Sequence, residues 1–202
     1  MRVVEETPPG AQVISFVLTG DGRTERKVLS AIAERYNGHA KILVFPKSTK
    51  PKKTGLSVFE AIESIHKLTG HTRYLILVDR EHFSEEKLHK MLPTLFGKYK
   101  VTTVEPYTIL TEKFEIYLVV LGEKTAVEDH IAKLINLEVG DDTIQIEYTD
   151  IVSLKRQIRT FIKTSGYKTL KKFILSCKVE NIEAAFEPLV KVLKMLELVR
   201  ET

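Results

Sequence analysis

Acidic residues stand at the ends of two apolar segments in this 202-residue sequence. Asp21 lies between two glycines, directly after the apolar run Val13–Thr19. Asp79 ends a second run, Arg73–Asp79, and Glu81 follows two positions later, on the same side of an extended chain. If the two runs are neighbouring strands, the three carboxylates converge and repel one another unless a cation neutralises them. Because hard oxygen ligands favour Mg²⁺ or Mn²⁺, the pattern predicts a divalent metal site that activates water and stabilises charge on a phosphoryl group.

Each of these acids also has an ordinary structural interpretation. An aspartate in a turn after a strand, such as Asp21, commonly caps the next helix or stabilises the turn itself. Asp79 and Glu81 flank Arg80, which can pair with a neighbouring acid. Acids at two corresponding strand ends favour the metal site more than either group does alone, and both interpretations stay open at the level of the sequence.

The hydrophobic pattern around the acids predicts an α/β protein. Apolar strands and amphipathic helices alternate over residues 13–104, an order typical of a central, mainly parallel, four-stranded sheet with helices on both faces. The predicted strands are 13–19, 41–45, 73–79 and 100–104, and the predicted helices are 24–36, one opened by Ser57, and 84–96. In such sheets, chemistry gathers at the carboxyl ends of the strands, which is where the acids lie.

The pattern beyond residue 111 is mostly helical. It predicts helices over 112–121, 125–137 and 151–199, with an edge strand over 143–148. We therefore divide the chain into an α/β core over residues 11–122 and a mainly helical extension over residues 123–202 that packs on this core.

Three short motifs resemble the TOPRIM family. The sequence GDGRTE at residues 20–25, between an apolar strand and a helix, is similar to the first TOPRIM motif, and its RTE part is closest to the OLD-family nucleases. Asp79-Arg80-Glu81 resembles the second motif, an Asp-x-Asp at a strand end. Residues 112–115, with the sequence EKFE, are similar to the acidic helix start that follows the core of OLD-like proteins. The resemblance covers residues 13–121 and implies a three-layer, Rossmann-like TOPRIM fold.

The resemblance implies metal-dependent phosphodiester chemistry on nucleic acid, with Asp21, Asp79 and Glu81 as catalytic residues. Asp79 and Glu81 would hold Mg²⁺ or Mn²⁺, and Asp21 would be a further ligand or the general base. Glu25 and Glu115 would serve a second ion. Two acids depart from the family pattern, because Asp21 stands where the family has Glu and Glu81 where it has Asp. A degenerate module that binds nucleic acid or a protein partner without chemistry is therefore an alternative, as is a hydrolase of small phosphorylated molecules.

The charge distribution permits a polyanionic partner. The formal net charge is +4 and the pI is about 9.0. A predicted loop carries four lysines and is either solvated or in contact with the phosphates of DNA or RNA: Lys47, Lys50, Lys52 and Lys53. A second basic group in the C-terminal helices has the helical spacing of a solvated outer face: Lys155, Arg156, Arg159, Lys163, Lys168, Lys171 and Lys172.

The remaining sequence features exclude several classes of protein. Cys177 is the only cysteine, which rules out an internal disulfide and fits a reducing cytoplasm. No apolar run approaches the ~20 residues of a membrane span, and the N-terminus lacks the apolar centre of a signal peptide, so we expect a cytoplasmic protein without membrane contact. Zinc motifs such as HExxH and the phosphate-binding P-loop motif are both absent from the sequence. A homodimer is compatible with these features.

Overall fold

A seven-stranded mixed β-sheet forms the centre of the protein. The computed structural model describes residues 1–10, 12–20, 22–36, 41–46, 55–104, 108–144, 146 and 150–198. Within these residues the strands are β1 (Arg2–Val4), β2 (Val13–Thr19), β3 (Ile42–Val44), β4 (Arg73–Asp79), β5 (Val101–Val104), β6 (Thr108–Thr111) and β7 (Glu115–Leu121). Their order across the sheet is β1-β3-β2-β4-β7-β6-β5. The chain is thus an α/β protein, as the sequence predicts, with a sheet wider than the four strands expected.

The two strands that carry the predicted acids are neighbours. β2 and β4 have the bounds predicted from the sequence and pair in parallel, with Val17 opposite Leu75. The pairs β1–β3, β2–β3 and β4–β7 are also parallel. From β2 the chain moves outward to β3 and then crosses back to β4 on the other side of β2. Such a reversal of strand order leaves a crevice at the carboxyl ends of the two strands, where α/β proteins bind ligands.

The region between residues 100 and 121 differs from the prediction. β5 pairs antiparallel with β6, and β6 pairs antiparallel with β7, so β5 is not a fourth parallel strand. The helix predicted over 112–121 is a tight turn followed by β7, closed by a bond from Thr111 N to Phe114 O (2.9 Å). The physical reason is that the β-branched and aromatic run of β7 is largely buried between β4 and β6, a position that favours a continuous apolar strand.

Helices cover both faces of the sheet. One face packs against a 3-10 helix (Gly55–Ala61), α2 (Ile62–Thr69) and α3 (Glu85–Phe96). The other face packs against α1 (Arg23–Ala33), α4 (Val127–Val139), α5 (Ile151–Thr164), α6 (Leu170–Ser176), α7 (Val179–Ala185) and α8 (Glu187–Leu198). On that second face one apolar cluster joins Leu77 of β4 and Val119 of β7 to Ile158 of α5 and Leu193 of α8. The predicted division at residue 122 therefore falls within a continuous core, and β1, before residue 11, extends the sheet.

The described residues between α4 and α5 do not form the predicted edge strand. Residues 143, 144 and 146 are not in a strand, and residues 145, 147 and 148 lie outside the described residues. Among the helices of the described part of the chain, none is long and apolar enough to span a membrane.

Candidate functional site

A cleft opens at the carboxyl ends of β2 and β4, where the strand order reverses. Its walls are formed by the carboxyl end of β2 with Gly20, the carboxyl end of β4 with Glu81, the first turns of α1 and α4, and Lys155 of α5. The cleft has a volume of about 180 Å³. A pocket for a whole small-molecule ligand has ~300 Å³ or more, so this cleft is better suited to a phosphate group with its associated ions.

Asp79 ends β4 and faces the first turn of α4. Its Oδ1 accepts a hydrogen bond from the backbone N–H of Val127 (3.2 Å). Burial, together with the negative charges of Glu25, Glu128 and Glu81, raises the pKa of Asp79 to about 7 against the opposing effect of the Val127 bond. A carboxyl group whose charge is this unfavourable near neutral pH favours a bound proton or a bound cation.

The first turn of α1 brings Glu25 to the cleft. Gly22 precedes the helix with φ of 72°, and a Cβ at this position would lie 2.9 Å from Thr19 Cγ2, so this tight entry requires glycine. Glu25 is buried in the first helical turn, where the helix dipole favours a negative charge. The predicted ligand Glu25 therefore lies beside Asp79, whereas the predicted ligand Asp21 lies outside the described residues.

Glu128 is a site residue that the sequence did not indicate. It lies in the first turn of α4, is only 5% exposed, and lines the cleft. Lys155 Nζ of α5 is 3.6 Å from Glu128 Oε1 and supplies a cation at the rim. The sequence feature that could have indicated Glu128 is the apolar run Glu115–Leu121. As a strand beside β4, this run places the start of α4 next to Asp79.

The loop before α4 is fixed by Asp129, which is buried. The Asp129 carboxylate accepts backbone hydrogen bonds from Lys124 (2.8 Å) and Thr125 (2.7 Å), and its other oxygen accepts one from the Thr125 hydroxyl (3.0 Å). These bonds hold the α4 N-terminus in the position from which Val127 reaches Asp79.

Glu81 occupies a different geometry from the extended one expected after Asp79. Arg80–His82 forms a 3-10 turn, and the Glu81 backbone N–H donates to Thr125 O (2.9 Å). The Glu81 side chain is exposed, and its Oε1 lies 3.6 Å from His82 Nε2. Glu81 therefore lies at the rim of the cleft, where it can reach a ligand, while Asp79 is more deeply enclosed.

The oxygen donors around the cleft suit a hard cation, but the described residues do not complete a metal site. Within the described ranges, no three carboxylate, imidazole or thiol groups lie close enough together to hold an ion. Glu25 and Asp79 come from adjacent elements, and Asp21, the third acid of the two motifs, is among the residues not described.

Glu115 does not belong to this cleft, which corrects its expected role as a ligand of a second ion. It is the first residue of β7 and pairs in register with Arg73, the first residue of β4, whereas Asp79 pairs with Leu121 at the other end. Six residues of strand correspond to about 20 Å. Glu115 instead accepts hydrogen bonds from Arg73 Nε (2.6 Å) and from the Tyr117 hydroxyl.

The lysine-rich loop also falls outside the description. Lys47, Lys50, Lys52 and Lys53 all lie among the residues that the structure does not describe, so their predicted contact with nucleic acid stays a prediction. Gly55, which follows this loop in sequence, lines the cleft.

A larger depression, about 530 Å³, lies between the 3-10 helix and α3. Its carboxylate Glu63 is 2.5 Å from Lys98 Nζ, and this cation holds the pKa of Glu63 below its usual value. In that depression Lys98 offsets the charge of Glu63, whereas the cleft at Asp79 is lined by more acids (Glu25, Asp79, Glu81 and Glu128) than cations (Arg23 and Lys155).

Comparison with known proteins leaves the family open. No protein-family model matches the chain, and no curated protein matches it. A solved structure described as hypothetical protein PH0156 from Pyrococcus horikoshii OT3 aligns with a TM-score of 0.48 and 12% identity, over 97% of this chain and 99% of that chain. That description names no activity.

Proposed function

We propose that this protein performs divalent-metal-dependent phosphodiester chemistry on nucleic acid, as a nuclease-like protein of TOPRIM type that acts in the cytoplasm. The observation that carries the proposal is the crowding of Asp79, Glu25 and Glu128 at the carboxyl ends of β2 and β4, where the strand order reverses. Crowded carboxylates at such a point are costly unless they serve a ligand of opposite charge.

Each side chain has a defined part in this proposal. Asp79 and Glu25 would hold Mg²⁺ or Mn²⁺ from two neighbouring elements, with Asp21 and Glu81 as the further ligands implied by the motif resemblance. A bound ion would relieve the repulsion among these acids and offset the charge of an attacked phosphodiester. Lys155, at the rim, is close enough to the cleft to contact a phosphate oxygen in place of Glu128.

The shape of the cleft favours a polymeric substrate over a free small phosphate ester. Its volume of about 180 Å³ is below the ~300 Å³ of a typical pocket for a whole small molecule. A phosphodiester of a strand that crosses the mouth needs only its phosphate inside. Bases and sugars then stay outside, where the chain contacts the surrounding surface.

The test combines metal binding with cleavage. Calorimetric titration with Mn²⁺ should show binding to the wild-type chain that Asp79→Asn weakens by about tenfold or more, because a ligand charge is lost. Linear, nicked and single-stranded DNA and RNA, incubated with Mg²⁺ or Mn²⁺, should yield products with the wild type and none with Asp79→Asn. The matched control is Glu115→Gln, which removes one acid from the far end of the sheet. A folded wild-type chain with neither Mn²⁺ binding nor product on any substrate contradicts the proposal.

The second candidate function is a module that binds nucleic acid or a protein partner without chemistry. Two observations favour it: the described residues do not gather three metal ligands, and Asp79 already has a structural partner in Val127. This function predicts nucleic-acid binding that is equal in EDTA and in Mn²⁺ and is unchanged by Asp79→Asn. Binding that depends on the metal argues against it.

A further inference from the structure

The exposed face of α5 carries a row of cations. The helix Ile151–Thr164 contains four basic residues and no acidic one. Arg156, Arg159 and Lys163 are exposed, and their spacing of three and four residues places them on one side of the helix. The opposite side, with Leu154, Ile158 and Ile162, is buried in the core. We name Arg156, Arg159 and Lys163 the α5 stripe.

The stripe has no carboxylate partner within the described part of the chain. No carboxylate there forms an ion pair with Arg156, Arg159 or Lys163, whereas Lys90 of α3 and both lysines of α8 are paired. Lys90 of α3 pairs with Glu86 at 2.5 Å, and Lys191 of α8 pairs with Glu187 at 2.7 Å. Both pairs have the i,i+4 spacing that stabilises helices.

Like charges at this spacing destabilise a helix. Arg156–Arg159 and Arg159–Lys163 are such pairs, and their mutual repulsion opposes the helix. A surface kept only for solubility gains nothing from this arrangement, because alternating signs would serve equally well. The unbalanced stripe therefore points to a ligand of opposite charge.

The stripe begins at the candidate cleft. Lys155, the residue before it, lines the cleft and lies 3.6 Å from Glu128. From Arg156 to Lys163 the helix advances about 10 Å away from that position, at 1.5 Å per residue. The cations thus continue outward from the point where the acids are concentrated.

We propose that the α5 stripe binds consecutive phosphates of a nucleic-acid strand whose scissile phosphate lies in the cleft at Asp79. This inference rests on the proposed function and adds the surface that holds the polymer. The stripe supplies affinity without base contacts, so binding is insensitive to sequence and falls steeply with salt.

The experiment measures binding separately from chemistry. Fluorescence anisotropy with labelled single-stranded and duplex DNA and RNA is recorded in EDTA, using the full chain with Asp79→Asn. Arg156→Gln/Arg159→Gln/Lys163→Gln should weaken binding about tenfold or more at 0.1 M salt. It should also reduce the slope of log K against log[salt] by about 2 to 3. The control, Lys90→Gln/Lys191→Gln/Lys194→Gln, removes three positive charges from other surfaces. Both triple variants then have a formal charge of +2 against +5 for the Asp79→Asn parent, and the control should bind like that parent.

The outcomes separate the stripe from the proposed chemistry. Equal loss of affinity in stripe and control variants, or no loss in either, overturns the inference even if the wild type cleaves nucleic acid. A loss of affinity confined to the stripe variant supports the inference even if the wild type cleaves no substrate. The absence of cleavage would contradict only the proposed chemistry. Anionic phospholipid vesicles are the competing ligand: stripe-dependent binding to vesicles, without binding to oligonucleotides, also overturns it.

A stability measurement distinguishes loss of the binding surface from loss of folding. Arg159→Glu places an acid between two cations and should leave the urea midpoint unchanged or raised, because repulsive pairs become attractive ones. The same variant should lose nucleic-acid affinity. A variant that loses affinity because it is unfolded would show a lowered midpoint instead.

Discussion

The carboxylate of Asp79 both stabilises the fold and lines the cleft. It accepts a hydrogen bond from the backbone N–H of Val127 and so joins the end of β4 to the start of α4. It is also surrounded by Glu25, Glu128 and Glu81, whose charges and the local burial oppose its ionisation. A core designed for stability alone would place an asparagine here, since its oxygen accepts the same bond without a charge. The retained acid is therefore a cost to stability that fits a site for a cation.

The cost at Asp79 should appear as a pH dependence of stability. The pKa of Asp79 is about 7 in the folded state, against the reference value of 3.8. Between these two pH values the folded state therefore binds more protons than the unfolded state. Stability in EDTA should therefore fall as the pH rises from about 4 to about 7 and then level off. Relative to Asp79→Asn, the wild type should lose up to about 3 kcal/mol between pH 4.5 and pH 8, since one pKa unit corresponds to 1.36 kcal/mol. Urea unfolding at several pH values measures this, and parallel curves for the two proteins would refute it.

Unlike Asp79, Glu115 has a partner of opposite charge, Arg73. Its bond from Arg73 and its contact with Tyr117 fix the amino ends of β4 and β7 at a partly exposed position. Glu115→Gln should lower the free energy of unfolding by about 1 kcal/mol or less, the usual range for such an ion pair. Thermal unfolding measures the loss, while Mn²⁺ titration should be unchanged from the wild type. Weakened Mn²⁺ binding by Glu115→Gln would show instead that Glu115 contributes to the metal site.

The sequence located part of the candidate site and missed the rest for a definable reason. Asp79 ends β4 and Glu25 opens the helix after β2, and the bounds of both strands could be predicted from the sequence, so both residues could be placed near the carboxyl edge of the sheet. Glu128 and Lys155 reach the cleft only through the pairing of β7 with β4 and the packing of α5 on α4, and no local pattern encodes these contacts.

Among the elements, β7 determines where the site residues of α4 fall. It pairs with all seven residues of β4, from Arg73–Glu115 to Asp79–Leu121, and so carries the chain to the carboxyl edge. The acidic start of residues 112–115 suggested a helix, but the following run has no helical period and fits a buried strand. α3, in contrast, begins at Glu85 after Ser84 and ends at Phe96, as predicted, because its cap is local.

The turn between β7 and α4 should be the most sensitive connection to the cleft. Gly122 has φ of 93°, and an added Cβ would lie 2.6 Å from the backbone N and O of Ala126. Gly122→Ala should therefore cost about 2 kcal/mol or more and shift the α4 N-terminus away from Asp79. Urea unfolding measures the first effect, and loss of Mn²⁺ affinity or cleavage reports the second.

Gly140, at the end of α4, is the matched control for this turn. Its φ of 84° is similar, yet an added Cβ would meet nothing within 4 Å. Gly140→Ala should cost about 1 kcal/mol from backbone strain alone and leave the cleft intact. Equal effects of the two variants on the cleft would show that the Ala126 contact does not position α4.

At the scale of the whole molecule, the sheet is covered by two unequal helical layers. The thinner layer contains the 3-10 helix, α2 and α3, and the thicker contains α1 and α4 to α8. Composition and alternating pattern were sufficient to predict the α/β class and the parallel centre. The sequence missed β1 and β6, which have three and four residues, too few for a periodic signal. It predicted a strand at the position of β5 but not its antiparallel pairing with β6.

The thicker layer makes the C-terminal helices part of the folding unit. A chain cut after residue 149 loses α5 to α8 and with them four residues of the cluster on that face of the sheet, Ile158, Phe173, Phe186 and Leu193. Such a chain should lack near-ultraviolet circular dichroism and a cooperative urea transition, because α1 and α4 alone leave part of the apolar cluster on that face exposed to water. A chain ending at residue 198 is the control and should unfold as the wild type does, in one transition with coincident fluorescence and circular dichroism. A folded, cooperative 1–149 chain would show instead that residues 150–198 are a separable extension, and that the cleft can form without Lys155.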